Sequence, residues 1–223
     1  MVLDKSMKGI IYYTDNRIEE PILSLVQQKI LKSGLPIVSC SLKPINFGKN
    51  IVLDLKPGPV TMVRQILAAL EASENEYVFF CEHDLLYHPS HFEFTPPDKN
   101  IFYYNTNVWR WDYESAKVIT YDHLRSLSGL SVYKDKALAH YKKRLAAILE
   151  NGFDKLPGNN PGWARKMGYE PGEKTGEQVG EWKSKYSNID IRHRKTLTPI
   201  KMTLESFKHK PTGWKESTIY KIK

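Results

Sequence analysis

Residues Tyr77-Val78-Phe79-Phe80-Cys81-Glu82-His83-Asp84 decide how this chain is read. The first five are apolar or aromatic, a run with the length and composition of a short buried strand. Three polar groups follow with no spacer. A fully buried strand that ends abruptly in carboxylates is an α/β pattern, and sheets of that kind bind ligands beyond the carboxyl ends of their strands. If the chain stays extended here, Glu82 and Asp84 point the same way, because side-chain direction repeats every two residues. Two carboxylates side by side repel unless a cation or a shared proton relieves them. A hard divalent ion, held by carboxylates and substrate phosphates, supplies that relief. A strand end whose acids are simply solvated is the other reading of the same residues.

Working outward from this run, the upstream sequence alternates strand and helix. Gly9-Ile10-Ile11-Tyr12-Tyr13 reads as a strand and Thr14-Asp15-Asn16-Arg17 as the turn after it. A helix is expected over 18–33, with an apolar stripe of Ile22, Leu25, Val26 and Ile30 and a stop at Gly34. Strands are expected over 36–42 and 51–55, the second closed by Lys56-Pro57-Gly58-Pro59. Thr61 is placed to cap a helix reaching residue 73 on Val63, Ile66, Leu67 and Leu70. That order predicts an α/β fold with a mostly parallel central sheet and crossover helices.

Downstream the pattern changes. His88-Pro89-Ser90-His91 opens a turn or short helix, and strands over 101–105 and 117–121 flank Trp109-Arg110-Trp111. A helix over 134–151 is marked by Leu138, Tyr141, Leu145 and Ile148, with Gly152 as its stop. Residues 152–180 carry seven of the thirteen glycines, together with Pro157, Pro161 and Pro171. Irregular segments of that length are functional lids or linkers, and the density of glycine and proline predicts a lid. A last strand is expected over 188–193, followed by a mixed basic tail from 196.

The chain of 223 residues is long enough for a large core, and 41% hydrophobic with 26% charged residues is the balance of a globular protein. No run approaches about 18 apolar residues, so no membrane insertion is expected. The first residues lack the apolar core of a signal peptide. Cys40 and Cys81 sit in apolar runs whose spacing suits neither zinc nor a disulfide, which points to a reducing, cytoplasmic setting. The net charge of +8 is uneven: residues 188–223 hold nine Lys or Arg against Asp190, Glu205 and Glu216. A basic terminal segment fits a polyanionic partner, an anionic substrate, or a merely solvated tail.

Several constellations carry chemistry. In a parallel sheet, Thr14-Asp15 and Glu82-His83-Asp84 lie on one edge and can grip a nucleotide from two sides; an Asx turn is the bland reading of Asp15-Asn16. No glycine-rich phosphate loop is present, so a diphosphate must be neutralised by metal and cationic side chains. Ile189-Asp190-Ile191-Arg192-His193-Arg194-Lys195 runs from a strand into cations around one histidine. There His193 can complete a metal shell or be structural, and Arg192, Arg194 or Lys195 can hold phosphates. His83, His88 and His91 stand near two carboxylates, but without the helical spacing of a zinc protease. Tyr103, Tyr104, Trp109, Trp111 and Tyr113 can stack on sugars or bases where exposed, or fill the core.

Taken together these residues resemble nucleotide-sugar glycosyltransferases of the GT-A fold, closest to small bacterial and phage family-two-like transferases. The resemblance spans roughly residues 8–195. It rests on Tyr13-Thr14-Asp15-Asn16-Arg17, Pro57-Gly58-Pro59-Val60-Thr61-Met62, Glu82-His83-Asp84-Leu85-Leu86-Tyr87-His88-Pro89, Tyr169-Glu170-Pro171-Gly172 and Asp190-Ile191-Arg192-His193. Glu82-His83-Asp84 is similar to that family's Asp-x-Asp motif. The resemblance implies one catalytic domain over 1–195, with a donor half over 8–94 and an acceptor half over 95–195, before the tail at 196–223. It implies Mn2+ or Mg2+ as cofactor, with Asp84 as main ligand, Glu82 on metal or ribose, and His193 as second ligand. It implies a nucleoside diphosphate sugar, a UDP-sugar, as donor, contacted by Thr14, Asp15, Arg17, Arg64, His83, Arg192 and Lys195. The family's usual Glu-Asp pair in the acceptor half is not evident, which leaves Asp154 and Glu170 as candidate catalytic bases.

The expected activity is sugar transfer to an acceptor hydroxyl, on a glycan or on a hydroxymethylated base in DNA. Two other readings stand beside it. One is a nucleotidyltransferase, which would release pyrophosphate. The other is a non-catalytic nucleic-acid-binding protein on a degenerate version of the fold.

Overall fold

The computed structural model describes residues 7–152, 170–172, 175–194, 207 and 209–221. Of the sequence-derived site residues, Asp154 and Lys195 lie outside these described residues.

The fold is mixed α/β, built on a seven-stranded, mostly parallel sheet. In chain order its elements are β1 (Lys8–Thr14), α1 (Ile22–Leu31), β2 (Ile37–Ser41), β3 (Lys49–Val52), α2 (Pro59–Ala72) and β4 (Tyr77–Glu82). There follow β5 (Leu85–Leu86), β6 (Phe102–Asn105), β7 (Val108–Asp112), β8 (Lys117–Thr120), β9 (Leu130–Tyr133), α3 (Lys134–Asn151), β10 (Val179–Trp182), β11 (Asn188–Arg192) and β12 (Lys215–Thr218). The main sheet has the order β10-β6-β9-β4-β1-β2-β3. β1 runs parallel to β2 and β4, β2 to β3, and β10 to β6, while β9 alone runs antiparallel to its two neighbours.

Both faces of this sheet are covered, which is why β1 and β4 read as continuous apolar runs rather than alternating ones. Ile11, Tyr13, Val78 and Phe80 face one way, onto Val63, Ile66 and Leu70 of α2 and Ala137, Tyr141 and Ile148 of α3. Ile10, Tyr12, Tyr77, Phe79 and Cys81 face the other way, onto Ile22, Val26 and Ile30 of α1 and onto Phe92 and Ile191. Cys40 and Cys81 are buried, unpaired thiols. Gly152, at φ +75°, stops α3 where the sequence places its end.

A second sheet of five strands, β12-β8-β7-β11-β5, packs beyond the carboxyl ends of β1 and β4. β5, only two residues long, leaves β4 after a turn and pairs antiparallel with β11, and Ile191 N–H donates to Asp84 O at 2.8 Å. The second sheet is thereby tied to the very residues that end β4.

Some boundaries differ from the sequence expectations, each for a local reason. α1 begins at Ile22, after Pro21, so the stretch from 18 is loop. α2 begins with Pro59 at its first turn behind Gly58. Thr61 therefore lies inside the helix, its hydroxyl donating to Lys56 O rather than capping. Trp109-Arg110-Trp111 is itself strand, the centre of β7, not a link between strands. Within the expected lid, Val179–Trp182 is strand β10. Part of the stretch set apart as a basic tail also belongs to the fold: β12 pairs with β8, and Trp214 is buried against Tyr121 and Phe207.

Candidate functional site

The site forms where the ends of β1 and β4 meet the end of β11. β1 and β4 are in register through Tyr13↔Glu82, so Thr14 and His83 emerge side by side, and Thr14 Oγ1 lies 2.7 Å from His83 Nδ1. That contact uses one ring nitrogen and leaves Nε2 for a ligand. Asp84 follows in the turn. The pairing of β5 with β11 then brings His193, just past β11, to within 3.8 Å of it, Nε2 to Oδ2. His83, Asp84 and His193 each offer a ligand atom within 4.8 Å of the others, all partly buried.

Ligand atoms about 2.1 Å from an ion stand roughly 3.0–4.2 Å from one another in octahedral geometry. The Asp84–His193 separation falls in that range, and the widest separation needs a shift of about half an ångström to reach it. One carboxylate with two imidazoles fits a divalent transition ion better than magnesium, which favours all-oxygen shells. The three residues therefore fit a divalent metal.

Glu82 does not join them. A turn at His83-Asp84 breaks the alternation expected of an extended chain, and Glu82 Oε1 instead accepts a hydrogen bond from Tyr13 Oη at 2.7 Å. Burial and the nearby Asp84 charge push the Glu82 carboxyl up to about 8, with the Tyr13 bond acting the other way. For Asp84, burial also acts upward. The hydrogen bond to His193 and the charges of His83 and Arg192 outweigh it, so Asp84 titrates below the usual carboxylate range. The two acids of the motif are thus held apart in role: Asp84 charged among cations, Glu82 inclined to keep its proton.

Beside the cluster, buried Asp190 of β11 organises two arginines. Its Oδ2 accepts from Arg192 Nη2 at 2.6 Å and lies 3.5 Å from Arg110 Nε on β7. Arg192 in turn feels the charges of Asp84 and Glu82, which sets a guanidinium beside the metal-ligand cluster. Arg110 and Tyr13 are site residues that sequence reasoning missed. Arg110 was hidden inside a segment read as a connection, and Tyr13 inside a strand read as core.

The remaining expected site residues fall as follows. Asp15 accepts from the backbone N–H of Arg17 at 3.0 Å and pairs with its guanidinium at 2.6 Å, while Asn16 Oδ1 accepts from the N–H groups of Leu42 and Lys43. The loop after β1 is thus an Asx turn pinned to the end of β2. Arg64 is exposed on α2. Its neighbour Gln65 is buried and donates to Thr14 O and Cys40 O, tying α2 to the ends of β1 and β2. Glu170 is buried, its Oε1 held by Arg144 Nη2 of α3 at 2.7 Å.

His88 and His91 are not brought to His83. His88 Nδ1 bonds Ser90 Oγ, and His91 lies among Phe79, Tyr87 and Trp182, where burial lowers its pKa to about 3. Tyr103 and Tyr104 are core, whereas Tyr113 is 45% exposed. Among the described residues, no helix is long and apolar enough to cross a membrane.

No family model matches the chain, and no curated protein does. Solved structures do show a likeness. One is a glycosyltransferase involved in glycosylation of the major capsid of PBCV-1: 12% identity, TM-score 0.49, covering 79% of this chain and 81% of that one. Another is the apo-form glycosyltransferase GlyE of Streptococcus pneumoniae TIGR4: 10% identity, TM-score 0.47, covering 78% of this chain and 45% of that one. This chain therefore spans less than half of the GlyE chain. At such identities and scores neither likeness sets a function for this protein.

Proposed function

We propose that this protein is a metal-dependent glycosyltransferase, moving a sugar from a nucleoside diphosphate sugar to an acceptor hydroxyl. The observation that carries the reading is the cluster of His83, Asp84 and His193 at the carboxyl edge of a parallel sheet, with Arg192 beside it. His83, Asp84 and His193 would hold a divalent transition ion, tested below as manganese. When bound, such an ion offsets the negative charge that builds on a departing diphosphate.

The chain's own groups supply the rest. Arg192, aimed by Asp190, presents a fixed cation to the phosphates, as Lys195 would from the sequence just beyond. Thr14, Asp15 and Arg17 form the wall where a base and ribose would lie, consistent with a UDP-sugar. His83 is oriented by Thr14. Glu82 fits a hydrogen-bond donor to ribose better than a metal ligand, because a protonated carboxyl donates. Glu170 and Asp154 are the proposed bases. Glu170 acts in that role only once its oxygen is released from Arg144. A carboxylate freed this way deprotonates the acceptor hydroxyl if the reaction inverts configuration.

The test is a hydrolysis screen across UDP-, dTDP-, GDP- and ADP-sugars, with manganese, with magnesium and with EDTA. The reading predicts release of a nucleoside diphosphate from at least one donor, with manganese required. Release of pyrophosphate would make the protein a nucleotidyltransferase, and binding without turnover of any donor would make it non-catalytic.

A further inference from the structure

The hairpin joining β7 to β8 carries an exposed aromatic residue. Tyr113 is 45% exposed, and its ring lies 5.3 Å from that of Trp111, centroid to centroid. Its place relative to the metal-ligand cluster follows from the strand ladder. β7 and β11 are parallel, with Trp111↔Ile191 and Asp112↔Arg192 in register. The ladder continues by one bond, Tyr113 N–H to Arg192 O at 3.1 Å, which sets Tyr113 opposite His193. Neighbouring strands stand about 4.8 Å apart, and residues in register on parallel strands point to the same side. Tyr113 is therefore one strand spacing from His193, a candidate metal ligand, with its ring against that of Trp111 and partly open to solvent.

The charges around the ring say what kind of molecule it meets. Asp112 and Glu114 flank it in sequence. Asp112 Oδ2 accepts from Ser115 Oγ at 2.5 Å, and Glu114 pairs with Arg194 in a contact exposed on both sides. Carboxylates accept hydrogen bonds and cannot donate. They suit hydroxyls, which donate, and they repel phosphate oxygens. The cations at the hairpin are themselves paired, Arg194 with Glu114 and Lys117 with Glu216, and Lys215 of the basic tail pairs with Thr120, about 10 Å along the strand from Lys117.

We infer that Tyr113 is the stacking platform for the acceptor, and that the acceptor is an uncharged glycan presenting the apolar C–H face of a pyranose ring. This rests on the sugar-transfer reading above. The ring covers one face of the sugar, and Asp112 and Glu114 take hydroxyls at its edge. The acceptor hydroxyl is thereby held next to the His83-Asp84-His193 cluster.

The experiment is calorimetric titration of the full chain, loaded with manganese and UDP, with neutral di- and trisaccharides of glucose, galactose, N-acetylglucosamine and rhamnose. UDP affinity is titrated in parallel. At least one saccharide binds the wild type. Tyr113→Ala weakens that binding about tenfold, roughly the worth of one ring contact, and Tyr113→Phe restores it to within about twofold. UDP affinity shifts by less than about twofold in both variants, which separates a platform from a general loss of structure. Failure of every saccharide to bind, equal affinity in Tyr113→Ala, or binding to a hydroxymethylated duplex that Tyr113→Ala abolishes would each overturn the inference. Saccharide binding needs no turnover. If the saccharide binds but no donor is hydrolysed, the transfer reading fails while the ring keeps its ligand.

Discussion

Glu82 and Asp84 show how one turn gives two neighbouring acids opposite characters. Asp84 is drawn toward His83, His193 and the Arg192 guanidinium, while Glu82 points at a phenol in the sheet. Burial, then the Asp84 charge, raise Glu82 from 4.5 to about 8. Between those values the folded state binds a proton that the unfolded state has lost, so the stability of the metal-free protein falls as pH rises through that window. Replacing Glu82 by Gln should flatten this part of the curve, measured as urea midpoint between pH 5 and 8.5; an unchanged slope would assign the titration elsewhere. Asp84 has the opposite sign, its stabilisation being lost only as pH falls below the ordinary carboxylate range. That Asp84 and His193 come together was legible in the sequence, because a carboxylate after a buried strand and a histidine among cations are chemical signals. The partner of Glu82 was not, since nothing in Ile11-Tyr12-Tyr13 says which tyrosine ends at the carboxyl edge.

At the scale of elements, α3 is the best-read helix. Its stripe and its glycine stop specified it completely, because helical contacts are local. The strands missed by sequence, β5, β7, β9, β10 and β12, are two to five residues long and gain stability from partners remote in the chain. α3 also holds two carboxylates of the stretch leading into β10. Arg144 and His140, one turn apart, bond Glu170 and Glu177 at 2.7 Å each. Arg144→Met leaves Glu170 buried without its cation, and the expected loss is about 3–5 kcal/mol in unfolding free energy. Adding Glu170→Gln should recover much of it. If the single variant is as stable as wild type, the pair is not closed in solution. Glu170→Gln alone keeps donor binding and loses turnover if Glu170 is the base; full turnover would pass that role to Asp154.

For the whole molecule, the decisive feature is that two sheets meet at one edge. The parallel sheet supplies Thr14, His83 and Asp84, the second sheet supplies Arg192, His193 and Tyr113, and β5 joins them. The first half was readable because alternating strand and helix allow few topologies. The second sheet was not, since its strands mix parallel and antiparallel pairing and draw on four separate stretches of chain. The net charge of +8 is uneven in sequence, but at the site end of the second sheet Arg194 is met by Glu114, Lys117 by Glu216, and Arg110 and Arg192 by Asp190. Acceptor affinity should therefore change by less than about twofold between 50 and 200 mM salt. A duplex held by three lysine–phosphate contacts would instead lose about fortyfold, from a slope of about −2.7. A loss of that size would restore DNA as the acceptor.

The central claim, metal-dependent sugar transfer at His83, Asp84 and His193, is tested most directly by donor turnover measured against manganese concentration in wild type, Asp84→Asn and His193→Ala. The account predicts a saturating manganese dependence abolished by EDTA and near-complete loss in Asp84→Asn. In His193→Ala the half-saturating concentration should rise by about tenfold or more, with little change in melting temperature. Full turnover in EDTA, or in Asp84→Asn, would contradict it.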